Sequence, residues 1–337
     1  MKNISVLCSL SSFHKGYDVF FPFYYWRKQF LNRNVKLNFY YKLAPFLNTK
    51  DEILILNSKF FQNKYELSNI QKVLEDLNNG NRKIVWFDNF ASSESNYIEL
   101  LPYVDVFLRR QVLVNKRKYL IDRPYRPWDK SYYEEKNKKI YIKENEIDKI
   151  KVGWNIGLCD YRNISFPLNL INQYVRKPIR FKELKEKQND VHYRGTNRSY
   201  HRKRSYDEIV KSNSKYNIIT EGRVSKEKYL NEIANSKIVI SPFGYGEICH
   251  RDFETIIGGA LLFKPDMSHL ITWPNFYKPW DTFIPYNWDS FDLGNKIQNV
   301  LENYNEYRII ITKAQKRYDY YANSFDEFYN NFCKIIT

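Results

Sequence analysis

The stretch "SPFGYGEICHRDFETIIGGALLFKPDMSHL", residues 241–270, follows the apolar run "KIVI" and contains a second one, "ALLF". Continuous apolar runs of this length suit strands of a parallel sheet, which are covered on both faces. Between them, "ICHRDFETII" reads as a helix stopped by Gly258 and Gly259. The segment is therefore one strand–turn–helix–strand unit of a doubly wound sheet. In such sheets a ligand sits beyond the carboxyl ends of the strands, where the chain turns into the next helix. The turn "SPFGYGE" is such a place.

The same alternation extends outward in both directions. Strands are expected over residues 4–10, 35–42, 52–57 and 83–90, with an aromatic-rich helix over 22–34. A helix over 66–81 carries Leu67, Ile70, Val73, Leu74 and Leu77 on one face, and 97–114 reads as helix then strand. Residues 121–150 are polar, charged and Pro-containing, a surface excursion, and 151–158 adds one more strand. A second series begins at 190, with strands over 190–195, 216–222, 237–244 and 260–266 and helices between them. At 337 residues the chain exceeds what one core usually holds. The expected class is α/β: two Rossmann-like domains, 1–170 and 171–320, with a cleft between them. A closing helix, 321–337, would pack back toward the first domain.

Composition narrows the function classes. A hydrophobic content of 43% with 18% aromatics excludes a disordered chain. The 54 Lys and Arg against 38 Asp and Glu give +16, which favours anionic partners. The densest basic run is "HYRGTNRSYHRKR", residues 192–204. No recognised nucleic-acid module accompanies it, which argues against a nucleic-acid partner. Cys8, Cys159, Cys249 and Cys333 form no C-x-x-C pair, so neither a disulfide framework nor a zinc site is expected. No run reaches the roughly 18 apolar residues of a membrane helix. The expected location is cytoplasmic, with room for peripheral membrane contact through basic and aromatic surface.

The turn at 241–249 has the parts of an anion site. Gly244 and Gly246 let backbone approach a ligand, and the following helix offers unpaired N–H groups. Arg251 adds a bidentate phosphate donor, and Glu254 an acceptor for vicinal hydroxyls. Departure of a nucleoside diphosphate needs such positive charge. The sequence contains no D-x-D pair for a divalent cation, so no metal and no cofactor is expected. A base for an acceptor hydroxyl would come from the opposite wall. The candidates are His14, in the loop after the first strand, and Asp88, at the end of "KIVWFD". Among the aromatics, Tyr245 and Trp26 are candidates for stacking on a base or a sugar.

Residues 241–270, preceded by "YLNEIANSKIVI", resemble the donor-site region of GT-B glycosyltransferases. The resemblance is strongest to the exostosin-like and bacterial polysaccharide glycosyltransferases. Their segment of the form S-P-x-G-x-G-E, R-x-F-E, small-G-A/C binds the nucleotide sugar. It covers residues 190–277, and elsewhere only the layout agrees. It implies that Glu254 holds the ribose and that Gly244, Tyr245, Gly246 and Glu247 lie against the donor. Arg251 and Arg194 would face the diphosphate. Glu247 and Glu254 are seven positions apart, whereas many retaining members have two glutamates eight apart, so the stereochemical outcome stays open.

The activity implied is transfer of a sugar from a nucleotide-sugar donor to a hydroxyl of a glycan or lipid-linked glycan, as in polysaccharide biosynthesis, without a metal. The alternatives are a nucleotide-sugar epimerase-type enzyme of the same fold and a non-catalytic nucleotide or nucleic-acid binding protein.

Overall fold

The computed structural model describes residues 1–9, 19–78, 81–120, 142–159, 161, 179–184, 186–195, 199–211, 215–220 and 222–336. The first half contributes β1 (Lys2–Leu7), β2 (Val35–Tyr40), β3 (Ile53–Asn57), β4 (Lys83–Asp88), β5 (Val106–Arg109), β6 (Gln111–Leu113) and β7 (Ile150–Val152). Six of these form one sheet in the order β2-β1-β3-β4-β5-β7, and every neighbouring pair is parallel. All five residues of β3, "ILILN", are buried, as a strand covered on both faces requires.

The second half contributes β8 (Asn189–His192), β9 (Ile218–Ile219), β10 (Ser236–Ile240), β11 (Leu261–Pro265), β12 (Leu270–Thr272) and β13 (Ile284–Tyr286). Its parallel sheet runs β13-β11-β10-β8-β9. The two parallel sheets, each flanked by helices, make the Rossmann-like pair read from the sequence.

Local departures have local causes. The aromatic helix breaks at Trp26 into Phe21–Tyr25 and Arg27–Asn32. The Trp26 indole is buried against Phe328, with ring centroids 5.1 Å apart, and so faces core rather than a ligand. Residues Ile98–Tyr103 form a 3₁₀ stretch containing Pro102, whose missing N–H and fixed ring prevent an α-helix from continuing. The strand expected over 216–222 shrinks to Ile218–Ile219 at the sheet edge.

Among the contacts that join the halves, three bear on the cleft or hold it together. β6 leaves the first sheet and pairs antiparallel with β12, with Val112 opposite Ile271. The helix Phe325–Ile336 carries Phe328 and Phe332 onto Trp154, at 5.1 and 6.2 Å between centroids, and onto Phe23, at 5.9 and 5.2 Å. Third, the 241–249 turn touches the loop after β4. The buried Glu247 carboxylate accepts the Ser93 N–H at 2.9 and 3.1 Å and the Gln111 amide at 3.2 Å. A Cβ on Gly246 would stand 1.7 Å from the Ala91 carbonyl oxygen.

That last contact separates the two turn glycines. A Cβ on Gly244 would meet the Arg202 guanidinium at 2.3 Å, the far end of a side chain that can swing away. A Cβ on Gly246 meets backbone. Gly246→Ala is expected to cost about 2 kcal/mol or more through forced displacement, and Gly244→Ala distinctly less. Urea unfolding of both variants checks this, and equal stabilities would contradict the packing described.

Candidate functional site

The carboxyl edges of the two sheets supply the site. In the second half, β8 ends in His192 and leads to Tyr193 and Arg194, while β10 leads into the 241–249 turn and the helix His250–Gly258. The junction is fixed by Asp252, which has no exposure. Its carboxylate receives the Lys264 ammonium at 2.9 Å, the Ser241 hydroxyl at 2.5 Å, the Tyr277 hydroxyl at 2.7 Å and the Cys249 N–H at 3.1 Å. Lys264 is itself fully buried in β11, its ammonium 5.4 and 5.7 Å from the centres of the Phe243 and Tyr277 rings. A buried carboxylate persists only when paired and hydrogen-bonded. Here those partners tie β10, the turn, the helix and β11 to one another.

Glu254 lies one turn into the helix, 7% exposed, and is ion-paired to Lys226 at the start of the helix Lys226–Ala234. Ser225 caps that helix by accepting the Lys228 N–H at 3.2 Å. Glu254 and Lys226 line a cavity of about 110 Å³ between the two helices, walled further by Tyr161, Leu230, Ile257 and Gly258. Lys182 and Asn231 add polar groups to the same wall, and this mixture of apolar and polar lining suits a ligand with a polar, hydroxyl-bearing part.

Arg251 and Arg194 belong to one network. Arg251 donates to the Ile240 carbonyl at 3.1 Å, the Tyr229 hydroxyl at 3.3 Å and the Arg194 carbonyl. Burial pushes the Tyr229 phenol up to about 12, so it stays neutral. Arg194 grips Glu232 through two bonds of 2.5 and 2.8 Å and donates to the Gly222 carbonyl at 3.1 Å. That bidentate contact holds the Glu232 carboxyl below its ordinary range. Both guanidiniums are thus engaged in bracing the ends of β8 and β10. Tyr245, ejected by the turn that Gly244 and Gly246 close, is 84% exposed at its tip.

The facing wall comes from β3, β4 and β5, adjacent strands whose carboxyl ends carry Asn57, Asp88 and Arg109. Asp88 has no exposure and faces Arg109 at 2.9 Å. Arg109 also donates to the Ser92 carbonyl at 2.8 Å and to the Glu94 carbonyl. Asp88 is therefore enclosed, positioning the loop that meets Glu247 rather than facing a ligand. His14, the other base candidate, lies outside the described residues.

Sequence reading missed Arg110, Lys226 and Tyr161. The strand period was the available signal for Arg110: in "FLRRQ", successive side chains point to opposite faces, so Arg109 goes inward and Arg110 to the rim. Arg110 donates to the Asn89 carbonyl at 2.9 Å and to its side-chain oxygen. His250 shares a 3.0 Å hydrogen bond with the Tyr161 hydroxyl.

Among the described residues no group of three or more His, Cys, Asp or Glu side chains could hold a metal ion, and no helix is long and apolar enough to cross a membrane.

No family model and no curated protein matches this sequence. Solved structures do match its fold. An alpha-glucosyltransferase in complex with UDP and a 13-mer DNA containing a HMU base aligns with a TM-score of 0.50 at 9% identity, over 99% of each chain. A glycosyltransferase from Rickettsia africae ESF-5 aligns with a TM-score of 0.50 at 11% identity, over 99% of this chain and 97% of that one. Identities this low establish the fold alone: two Rossmann-like domains in the GT-B arrangement.

Burial, followed by the charges of Arg110 and Lys226, lowers the His250 pKa to about 4. The unfolded chain, near 6.5, binds this proton first on acidification. Stability contributed by neutral His250 is therefore complete above pH 6.5 and declines as pH falls toward 4, by up to about 1.4 kcal/mol per pH unit. His250→Gln is expected to flatten that part of the profile. Denaturant midpoints of both proteins between pH 4.5 and 7.5 measure it, and parallel profiles would contradict the assignment.

Proposed function

We propose that the protein is a glycosyltransferase that moves a sugar from a nucleotide-sugar donor to a hydroxyl of a glycan or lipid-linked glycan. The observation that carries this reading is the Glu254–Lys226 pair, which joins two helices of the second domain and lines the cavity between them. A doubly wound sheet takes its ligand beyond the carboxyl ends of its strands, where the helix bearing Glu254 begins. Glu254 accepts hydrogen bonds from the ribose hydroxyls, displacing the Lys226 ammonium toward the phosphates. Gly244 and Tyr245 lie along the donor. Gly246 and Glu247 fix the turn against the first domain, and Arg194 and Arg251 shape the strand ends that receive it.

In the transfer, the bond between the anomeric carbon and the diphosphate oxygen breaks and its electron pair stays on the diphosphate. The acceptor oxygen bonds to that carbon, and its proton passes to a base. His14 remains our candidate for the base. His250, with a pKa of about 4, is too weakly basic for the task. Charge on the leaving diphosphate is met by protein cations and helix N–H groups, without a metal.

An epimerase of the same fold is the second reading, and it needs an acid and a base facing one sugar. Among the described residues neither Asp88, enclosed by Arg109, nor the weakly basic His250 supplies that pair. The net charge of +16 suits the anionic donor.

A thermal-shift panel of nucleoside diphosphates and nucleotide sugars tests the reading. At one hundred times its Kd a ligand adds about 2.7 kcal/mol of stability, an upward shift of several degrees. At least one nucleotide is expected to produce it, and Glu254→Ala is expected to weaken that response about tenfold or more in ligand concentration. Absence of any shift across the panel would refute the nucleotide site. An unchanged response in Glu254→Ala would refute the ribose contact.

A further inference from the structure

In the second domain Arg194 and Arg251 are braced internally, while Lys226 lies beside the Glu254 cavity and Arg202 beside the Gly244 turn. Arg194 is held by Glu232 and the Gly222 carbonyl, and Arg251 by three oxygen partners. Other cations stand on the opposite wall. Arg110 follows the last residue of β5 and is anchored to Asn89, just beyond β4. Lys59 follows β3, its ammonium 2.7 Å from the Gln62 side-chain oxygen and 5.9 Å from the centre of the Phe90 ring. Because β3, β4 and β5 are adjacent, the two cations share one edge.

Arg110 is also tied to the donor-side turn by its neighbour. Gln111 donates at 2.7 Å to the Ala91 carbonyl, the atom that Gly246 abuts, and at 3.2 Å to Glu247. The end of β5 is thereby pinned three residues from His250, the first residue of the donor-side helix. Burial first, then the Arg110 charge, lowers the Lys59 pKa, and the same guanidinium helps to lower that of His250 across the cleft. Like charges near one another are costly until an anion joins them.

We infer that Arg110, supported by Lys59, is a diphosphate-binding residue supplied by the first domain, reaching across the cleft to the leaving group of a donor held by the second. This rests on the proposed nucleotide site and deepens it. Asn89 presents the guanidinium in a fixed orientation, as bidentate phosphate contacts need. The site is complete only when the halves are docked as Gly246 and Glu247 dock them. Leaving-group stabilisation and domain closure are then one event, which limits loss of the sugar to water when the cleft is open.

Calorimetric titration of the full chain with UDP, TDP, GDP, ADP and CDP, each beside its monophosphate and nucleoside, provides the test. For the base that binds, Arg110→Met is expected to weaken the diphosphate about tenfold or more, the loss of a charge-assisted contact. The nucleoside is expected to change by less than about twofold on the same scale. Arg110→Lys is expected to recover part of the loss, and Lys59→Met to give a smaller loss of the same kind. Equal weakening of diphosphate and nucleoside would show a structural role through Asn89 and overturn the inference. So would an unchanged diphosphate affinity. If the wild-type chain binds no nucleotide at all, the nucleotide site itself fails, an outcome distinct from either.

Discussion

A carboxylate sealed from water, that of Asp252, sets the terms for the rest of the molecule. It is met by Lys264 from β11, Ser241 from the end of β10, Tyr277 from the chain beyond β12, and the backbone of Cys249. Breaking a buried pair of this kind by removing one partner typically costs about 3–5 kcal/mol, roughly a fifth to the whole of a domain's net stability. The consequence is positional. With both ends of the 241–249 turn tied to one carboxylate, the turn has little freedom in where it presents Gly246, Glu247 and Tyr245.

Everything on the cleft follows from that placement. Glu247 reaches the Ser93 amide only because the turn is held, and Gly246 can lie on Ala91 only because it has no side chain. The first-domain loop is prepared reciprocally, by the Asp88–Arg109 pair and the bonds Arg109 makes to Ser92 and Glu94. Two buried ion pairs, one in each half, thus stiffen two loops that meet. The hydrophobic contribution is separate: the terminal helix with Phe328 and Phe332 secures the halves at a distance from the chemistry. Aromatic side chains there bury large areas, which favours docking without dictating the register of the loops.

Much of this fold was legible in the sequence because its signals are local. Apolar runs such as "ILILN" and "ALLF", glycines ending a helix, and the strand-to-helix turn at 241–249 depend on neighbours a few residues apart. Glu254 could be singled out for the same reason. Partners were not legible. Glu254 pairs with Lys226, 28 residues away, and Glu247 with Ser93, 154 residues away, and no spacing rule encodes a contact made by folding. Arg194 and Arg251, which read as ligand contacts from their place at strand ends, are linked through the Arg194 carbonyl and turned inward. Asp88 reads as an exposed acid at a strand end until Arg109, from the next strand, is seen to enclose it. Lys264 is the sharpest case, a lysine within the apolar run "LLFKP" that only the buried Asp252 makes tolerable.

The central claim is that the cleft between the two carboxyl edges holds a nucleoside diphosphate, with the ribose on the second domain and the phosphates reaching the first. A structure determined by crystallography with UDP, or whichever diphosphate binds, tests it most directly. Ribose hydroxyls hydrogen-bonded to Glu254 and a phosphate oxygen against Arg110 are the expected result. A nucleotide ordered elsewhere on the protein, with this cleft filled only by water, would contradict it.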